Sequence, residues 1–256
     1  MTTTLYNRPK SIIEIDARRL STQELNSKLR EAAAGGAAKI TIRNVCGQRY
    51  IGTDLARNIE IDIYGTPGND LGAFLNGPRI VVRGNAQDGV GNTMDNGEIV
   101  VNGHAGDIVG LSARGGQIFI RDNVGYRAGI HVKEFGGKKP SIVIGGTAQD
   151  FLGEYMAGGT IVVLGLDMEM DELHHTNYIG TGMHGGAIYL RGSVEEYQLG
   201  KEVGIGELDD NDHYELTQLV RKFCSHFSCH AESILNHDFI KLFPLYLRPY
   251  GRLYAY

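Results

Sequence analysis

The sequence predicts an all-β chain. The expected fold is a right-handed, single-stranded parallel β-helix of about eight turns, with an N-terminal α-helix and a C-terminal helical and aromatic tail. Three observations carry this. Gly72, Gly91 and Gly110 recur every 19 residues, and a fixed period near 20 marks a solenoid. Each is followed eight residues later by an apolar triplet, beginning at Ile80, Ile99 and Ile118. Finally, whole columns of the repeat are apolar, as stacked inward positions require.

The elements can be justified in order. Ile12, Ile13 and Ile15 fit a short strand. Ser21 and Glu24 have the spacing of a capping box. Leu25, Leu29 and Ala32 follow at helical spacing and Gly35-Gly36 supplies a stop, so a helix is expected over about 21–34. From Ile40 the pattern alternates. The triplets begin at Ile40, Ile61, Ile80, Ile99, Ile118, Ile142, Ile161 and Ile188. The two widest gaps hold insertions, Lys133 to Pro140 and Leu166 to Thr176.

A glycine precedes most triplets: Gly52, Gly72, Gly91, Gly110, Gly129, Gly153 and Gly180. A second comes after them at Gly65, Gly84, Gly103, Gly145, Gly165 and Gly192, with Asp122 as the exception. Glycine corners permit positive φ, and Asp is among the residues that tolerate it. The residue before the first glycine is apolar from Leu71 to Ile179, and so is the third residue after it, from Leu75 to Met183. With the first and third triplet positions, these make four inward columns. After Gly192 the repeat fades. His213 to about Ala231 reads as helix, and Asn236 to Tyr256 is an apolar, aromatic tail in which Pro244 and Pro249 forbid one continuous helix. The chain therefore divides into a cap (1–36), a β-helix (37–205) and a C-terminal helix and tail (206–256).

Composition narrows the function. The 256 residues are 42% hydrophobic with a net charge of −5, which argues against nucleic acid or anionic lipid as the partner. Three cysteines do not form a disulfide framework. No stretch reaches membrane-spanning length and the start lacks an apolar signal core, so a cytoplasmic location is expected.

The middle triplet position points outward, yet it is apolar in six successive turns: Val81, Val100, Phe119, Val143, Val162 and Tyr189. Such a stripe needs cover. Either the chain's own terminal helices lie on it or another subunit does, which makes these six the candidate partner interface. A homo-oligomer is one form that interface could take.

Other residues invite chemistry. Asn69, Asp88, Asp107, Asp150 and Asn177 form a column three residues before the corner glycine. They are expected to cap backbone amides at the corner, with a bound cation as the alternative. Cys224, His226, Cys229 and His230 are candidate metal ligands. A C-x4-C pair on a continuous helix, however, sets its sulfurs about 140° apart. His174 and His175 sit in an acidic insertion, and Lys133, Lys138 and Lys139 in a loop; both read as solvated or as contacting a partner. Gly204-x-Gly206 does not open a helix after a strand of a βαβ unit, so the dinucleotide fingerprint is not met.

The repeat runs Gly153-Glu-Tyr-Met-Ala-Gly-Gly-Thr-Ile-Val-Val-Leu-Gly165 and Gly180-Thr-Gly-Met-His-Gly-Gly-Ala-Ile-Tyr-Leu-Arg-Gly192. It resembles the GXGXG family, the C-terminal β-helix domain of the glutamate synthase large subunit. One of the subunits of formylmethanofuran dehydrogenase carries the same kind of domain. The likeness covers about 37–205, and Ile205 to Phe223 looks like the helix that comes after the β-helix in glutamate synthase. Ile13-Glu-Ile-Asp-Ala17 and the chain's length resemble the split form, in which this domain is its own polypeptide.

The resemblance implies a non-catalytic structural subunit that holds a glutamine amidotransferase subunit and an FMN/iron–sulfur synthase subunit together. FMN and the cluster would reside in those partners. It places no catalytic or cofactor-binding residue here: Thr2, not Cys, follows Met1, and Cys46 is far in sequence from Cys224 and Cys229. A formylmethanofuran dehydrogenase or glutamate N-methyltransferase type of assembly is the alternative, and a stand-alone metal-binding enzyme the remaining one.

Overall fold

A computed structural model describes residues 11–169 and 172–246. Among the described residues eleven strands form one sheet. Strand β1 (Ile12–Asp16) leads into helix α1 (Thr22–Ala34), which is capped as the sequence predicts: Ser21 Oγ accepts from Glu24 N, and Ser21 N donates to the Glu24 carboxylate. Then come β2 (Lys39–Cys46), β3 (Glu60–Thr66), β4 (Asn76–Val82), β5 (Asn96–Val101), β6 (Gln117–Ile120), β7 (Ser141–Ile144), β8 (Ala157–Val163) and β9 (Gly185–Arg191). From β1 to β9 each strand pairs in parallel with the next in chain order.

All eight triplets lie in β2–β9, and their registers match triplet to triplet: Ile80 faces Ile99, Val81 faces Val100 and Val82 faces Val101. Counted between the corner glycines Gly52 and Gly180, the parallel β-solenoid makes about six turns. At the corners Gly72 N donates to Ile51 O and Gly91 N to Leu71 O, both at 2.8 Å, so the ladder continues where no strand is assigned. The four inward columns fill the core: Leu71, Val90, Leu75, Met94, Ile80 and Val82 are all fully buried.

Gly72 shows why the corner requires glycine. Its φ is +66°, and a Cβ there would lie 2.7 Å from Ile99 Cδ1 of the next rung. Backbone conformation and interior space both exclude a side chain. The second glycine column is mixed. Gly65 and Gly192 have φ of +120° and +95°, whereas Gly84 is not in the positive-φ region but a Cβ there would sit 3.1 Å from Gly65 O of the rung before. Asp122, the exception in that column, does not adopt positive φ.

Beyond the solenoid the chain forms β10 (Val203–Gly206), α2 (Asp210–Phe227), α3 (Ala231–Leu235) and β11 (Phe239–Pro244). The tail corrects the expectation of a helical, aromatic end. Phe239, Ile240, Leu242 and Phe243 form a strand that inserts antiparallel between β9 and β10, and Leu242 is fully buried against the core. Leu247, Pro249, Tyr250, Leu253, Tyr254 and Tyr256 lie outside the described residues. No helix among the described residues is long and apolar enough to cross a membrane.

Candidate partner interface

Val81, Val100, Phe119, Val143, Val162 and Tyr189 do line one face of the sheet, but they are not exposed. Each is at least 99% buried. Leu216, Leu219, Val220 and Phe223 of α2 join them in one apolar cluster. The expectation that these six form a partner interface is therefore corrected: the chain covers the stripe itself. Apolar spacing on 213–231 places Leu216, Leu219, Val220 and Phe223 on one side of a helix, which is the shape a flat β face takes as cover.

Charged pairs fix α2 from its margins. Lys222 Nζ lies 2.5 Å from Glu98 Oε2, and Arg79 Nε donates to Glu98 Oε1 at 2.7 Å. His226 Nε2 is 3.5 Å from Glu98 Oε1 but is not aligned for a hydrogen bond. Burial alone would raise the Glu98 pKa. His226, Lys222 and Arg79 together outweigh it and hold the carboxyl well below its usual range. At the helix N-terminus, Tyr189 Oη donates to Asp212 at 2.7 Å and Lys241 Nζ pairs with Asp212 at 2.6 Å. Burial, followed by the bond to Asp212, pushes the Tyr189 phenol above its ordinary value. For Asp212 burial acts upward, but Lys241, the Asp209 amide and Tyr189 bring the net shift below the usual carboxylate value. Lys139 pairs with Glu215 at 2.6 Å, so one lysine of the loop expected to be solvated also secures α2.

The candidate metal ligands do not converge. Helix α2 stops at Phe227, and Ser228 takes the left-handed cap conformation with φ +56°. The chain turns back, Cys229 N donates to Cys224 O at 3.3 Å, and the two sulfurs meet in a disulfide. The 140° separation assumed a helix that continues, and the cap ends it. His226 stacks edge-on against Phe119 at 4.8 Å, and His230 is the N-cap of α3. No group of three or more His, Cys, Asp or Glu among the described residues is placed to hold a metal. In the acidic insertion, His175 pairs with Glu172, whereas His174 is buried with Nε2 2.9 Å from Arg191 O.

The Asn/Asp column caps amides as expected, but those of the next rung. Asp88 Oδ1 accepts from Asp107 N at 3.0 Å, Asp107 Oδ1 from Tyr126 N at 2.9 Å and Asp150 Oδ1 from Asn177 N at 2.8 Å. The column thus links turns together.

The corner has a periodic backbone. Asp70, Gly72 and Phe74 have φ of +61°, +66° and +56°, and Gly89, Gly91 and Thr93 have +74°, +71° and +54°. Left-handed residues therefore alternate with ordinary ones across each corner, a pattern for which Gly-x-Gly is the least strained sequence. The model of the GXGXG motif family matches residues 12–247. This chain belongs to the GXGXG family. An uncharacterized protein of Methanocaldococcus jannaschii is 48% identical over 251 residues, which are 95% of this chain and 96% of that protein.

What the GXGXG corner presents outward is the surface that sequence reasoning missed. Tyr50, Phe74, Tyr126, Tyr155 and Tyr178 each lie within three residues of a corner glycine and are 46% or more exposed. Phe151 and Tyr178 stack at 4.8 Å on neighbouring rungs, Arg127 covers the Phe151 ring at 4.5 Å, and His131 stacks on Tyr155 at 5.3 Å. Aromatic side chains are costly to leave in water and are enriched where proteins associate. The signal was available in the columns two residues either side of each corner glycine, which hold Tyr50, Phe151 and Tyr178, and Phe74, His131 and Tyr155.

Proposed function

We propose that this chain is a non-catalytic structural subunit of a glutamate synthase-like complex. In that complex a glutamine amidotransferase subunit and a synthase subunit carrying FMN and an iron–sulfur cluster perform the chemistry in the cytoplasm. The observation that carries this reading is the GXGXG family match over 12–247. It spans the cap, the solenoid and the C-terminal helix as one unit. The aromatic corner edge supports it as the surface on which the larger subunits would seat. The stripe under α2 is already filled, so contact falls to the exposed edge.

The test is affinity purification of the tagged chain from its native cells, followed by mass spectrometry and the flavin absorption spectrum of the eluate. Amidotransferase and FMN-binding subunits should co-purify in fixed proportion. A chain that elutes alone at its cellular concentration overturns the proposal. Molybdenum- or tungsten-enzyme subunits in the eluate would replace it with the formylmethanofuran dehydrogenase reading, and methyltransferase subunits with the glutamate N-methyltransferase one.

A further inference from the structure

Four residues past each corner glycine the repeat places Asn76, Asp95, Arg114, Lys133, Ala157 and His184 on successive rungs. Rungs in a parallel ladder lie about 4.8 Å apart, so side chains of this column are direct neighbours. One other column of the solenoid alternates the sign of neighbouring charges. The column one residue before the triplets runs Lys39, Glu60, Arg79, Glu98, with ion pairs of 2.6 Å between the first two and 2.7 Å between the last two. Arg114 and Lys133 do not follow that pattern: two cations occupy adjacent rungs.

They are only partly neutralised. Arg114 Nε lies 3.1 Å from Asp95 Oδ1, in ion contact but without a hydrogen bond. Lys133 has no carboxylate partner within ion-pair distance among the described residues. The adjacent Glu134 is engaged with Gly159 N at 3.1 Å. Arg114 and Lys133 both lie 5.9 Å from the centre of the Phe135 ring, so both cations border the same aromatic side chain. Beyond Lys133 the next rung holds only Ala157, and then His184. The missing bulk opens a groove of about 480 Å³ bounded by Arg114, Lys133 and His184, with the stacked His131 and Tyr155 rings as its wall.

We infer that this groove binds a small molecule through an oxyanion group, phosphate or carboxylate, held between Arg114 and Lys133 with its body against Tyr155. Guanidinium and ammonium groups at this spacing can each donate to one oxyanion, and the anion relieves the repulsion that the fold leaves standing. The groove shares Tyr155 with the edge assigned to the partner subunits, but the titration below uses this chain alone and its outcome does not depend on them.

Isothermal titration of the full chain with inorganic phosphate and, separately, succinate tests it, at ionic strength held constant with sodium chloride. Saturable one-to-one binding of at least one probe is expected, and the tighter of the two identifies the head group as phosphate or carboxylate. Arg114→Gln and Lys133→Gln should each weaken binding at least tenfold, whereas Lys28→Gln, on α1, should leave it unchanged. If Arg114→Gln misfolds, the exposed Lys133 still decides the matter. The His131 and His184 ring resonances should shift on saturation while that of His213 on α2 does not. No saturable heat from either probe, full affinity in Lys133→Gln, or an equal loss in Lys28→Gln overturns the inference.

Discussion

Along the strand edge beside α2, charges alternate from rung to rung: Lys39, Glu60, Arg79 and Glu98, with Lys222 of α2 closing the series. Four residues past the corner glycine, Arg114 and Lys133 stack with the same sign. The apolar residues divide in the same way. Val81, Val100, Phe119 and their neighbours are sealed under a helix, whereas Tyr50, Phe74, Tyr155 and Tyr178 face water. One repeat builds both sides, so the difference lies in the segment after the repeat, which contains α2. Among the described residues the chain supplies cover for the sheet face and none for the corner. A satisfied face holds the fold, and an unsatisfied edge is left for other molecules.

The comparison breaks most severely at Phe119. Phe119→Ala removes a large, fully buried side chain from beneath α2 and should cost about 3–5 kcal/mol, read by urea unfolding. A cost below about 1 kcal/mol would show that α2 is a loose cover. Asp212→Ala comes next. It leaves Lys241 half-buried without its partner and frees the Tyr189 hydroxyl, so a loss of about 3 kcal/mol is expected in the same assay.

The same face should respond to acid. Glu98 and Asp212 are held below their ordinary pKa values in the folded chain. Their contribution is therefore complete above the unfolded carboxylate range and is lost as pH falls below about 4. Thermal melts should be flat near neutrality and drop under acid, with a shallower drop in Glu98→Gln. Tyr189 acts in the opposite direction. Its raised pKa contributes stability below about pH 10 that is lost above it.

The corner edge should behave differently. Ile108 is β-branched and held at φ +53°. Ile108→Asn relieves that strain and should raise stability by about 1 kcal/mol in urea titration. Smallest of all, Tyr178→Ser should change stability by less than about 0.5 kcal/mol, while lowering partner recovery in the affinity experiment. If it destabilises as Phe119→Ala does, the edge belongs to the fold and not to a partner.

The sequence made the solenoid legible because its information is repeated. A triplet such as Ile99-Val-Val101 is ambiguous alone, but eight in phase specify parallel register, and Gly72 or Gly91 marks each corner. Helix α1 was legible because Ser21 and Glu24 cap it locally. The elements that close the molecule occur once. Nothing near Phe239 says that it will run antiparallel beside β9. Nothing in the Cys224–Cys229 spacing says that Ser228 will reverse the chain. The stripe at Val81 to Tyr189 is legible as apolar and outward, but whether helix or partner covers it depends on residues beyond the repeat, such as Lys222 meeting Glu98. The aromatic edge escapes for a simpler reason: the inward columns dominate the pattern, and the columns two residues either side of the corner vary in residue type from rung to rung.

Strand β11 has a further consequence. The last parallel strand of a solenoid exposes a row of amides and carbonyls that another copy could continue. Here β11 occupies that row on β9 and runs the other way, with β10 paired beyond it. A second molecule cannot add its first rung to β9 in the parallel register that the stack requires. One reversed strand thus seals β9 and leaves β10, only four residues long, as the outer edge of the sheet, and a short edge offers a second molecule little to pair with.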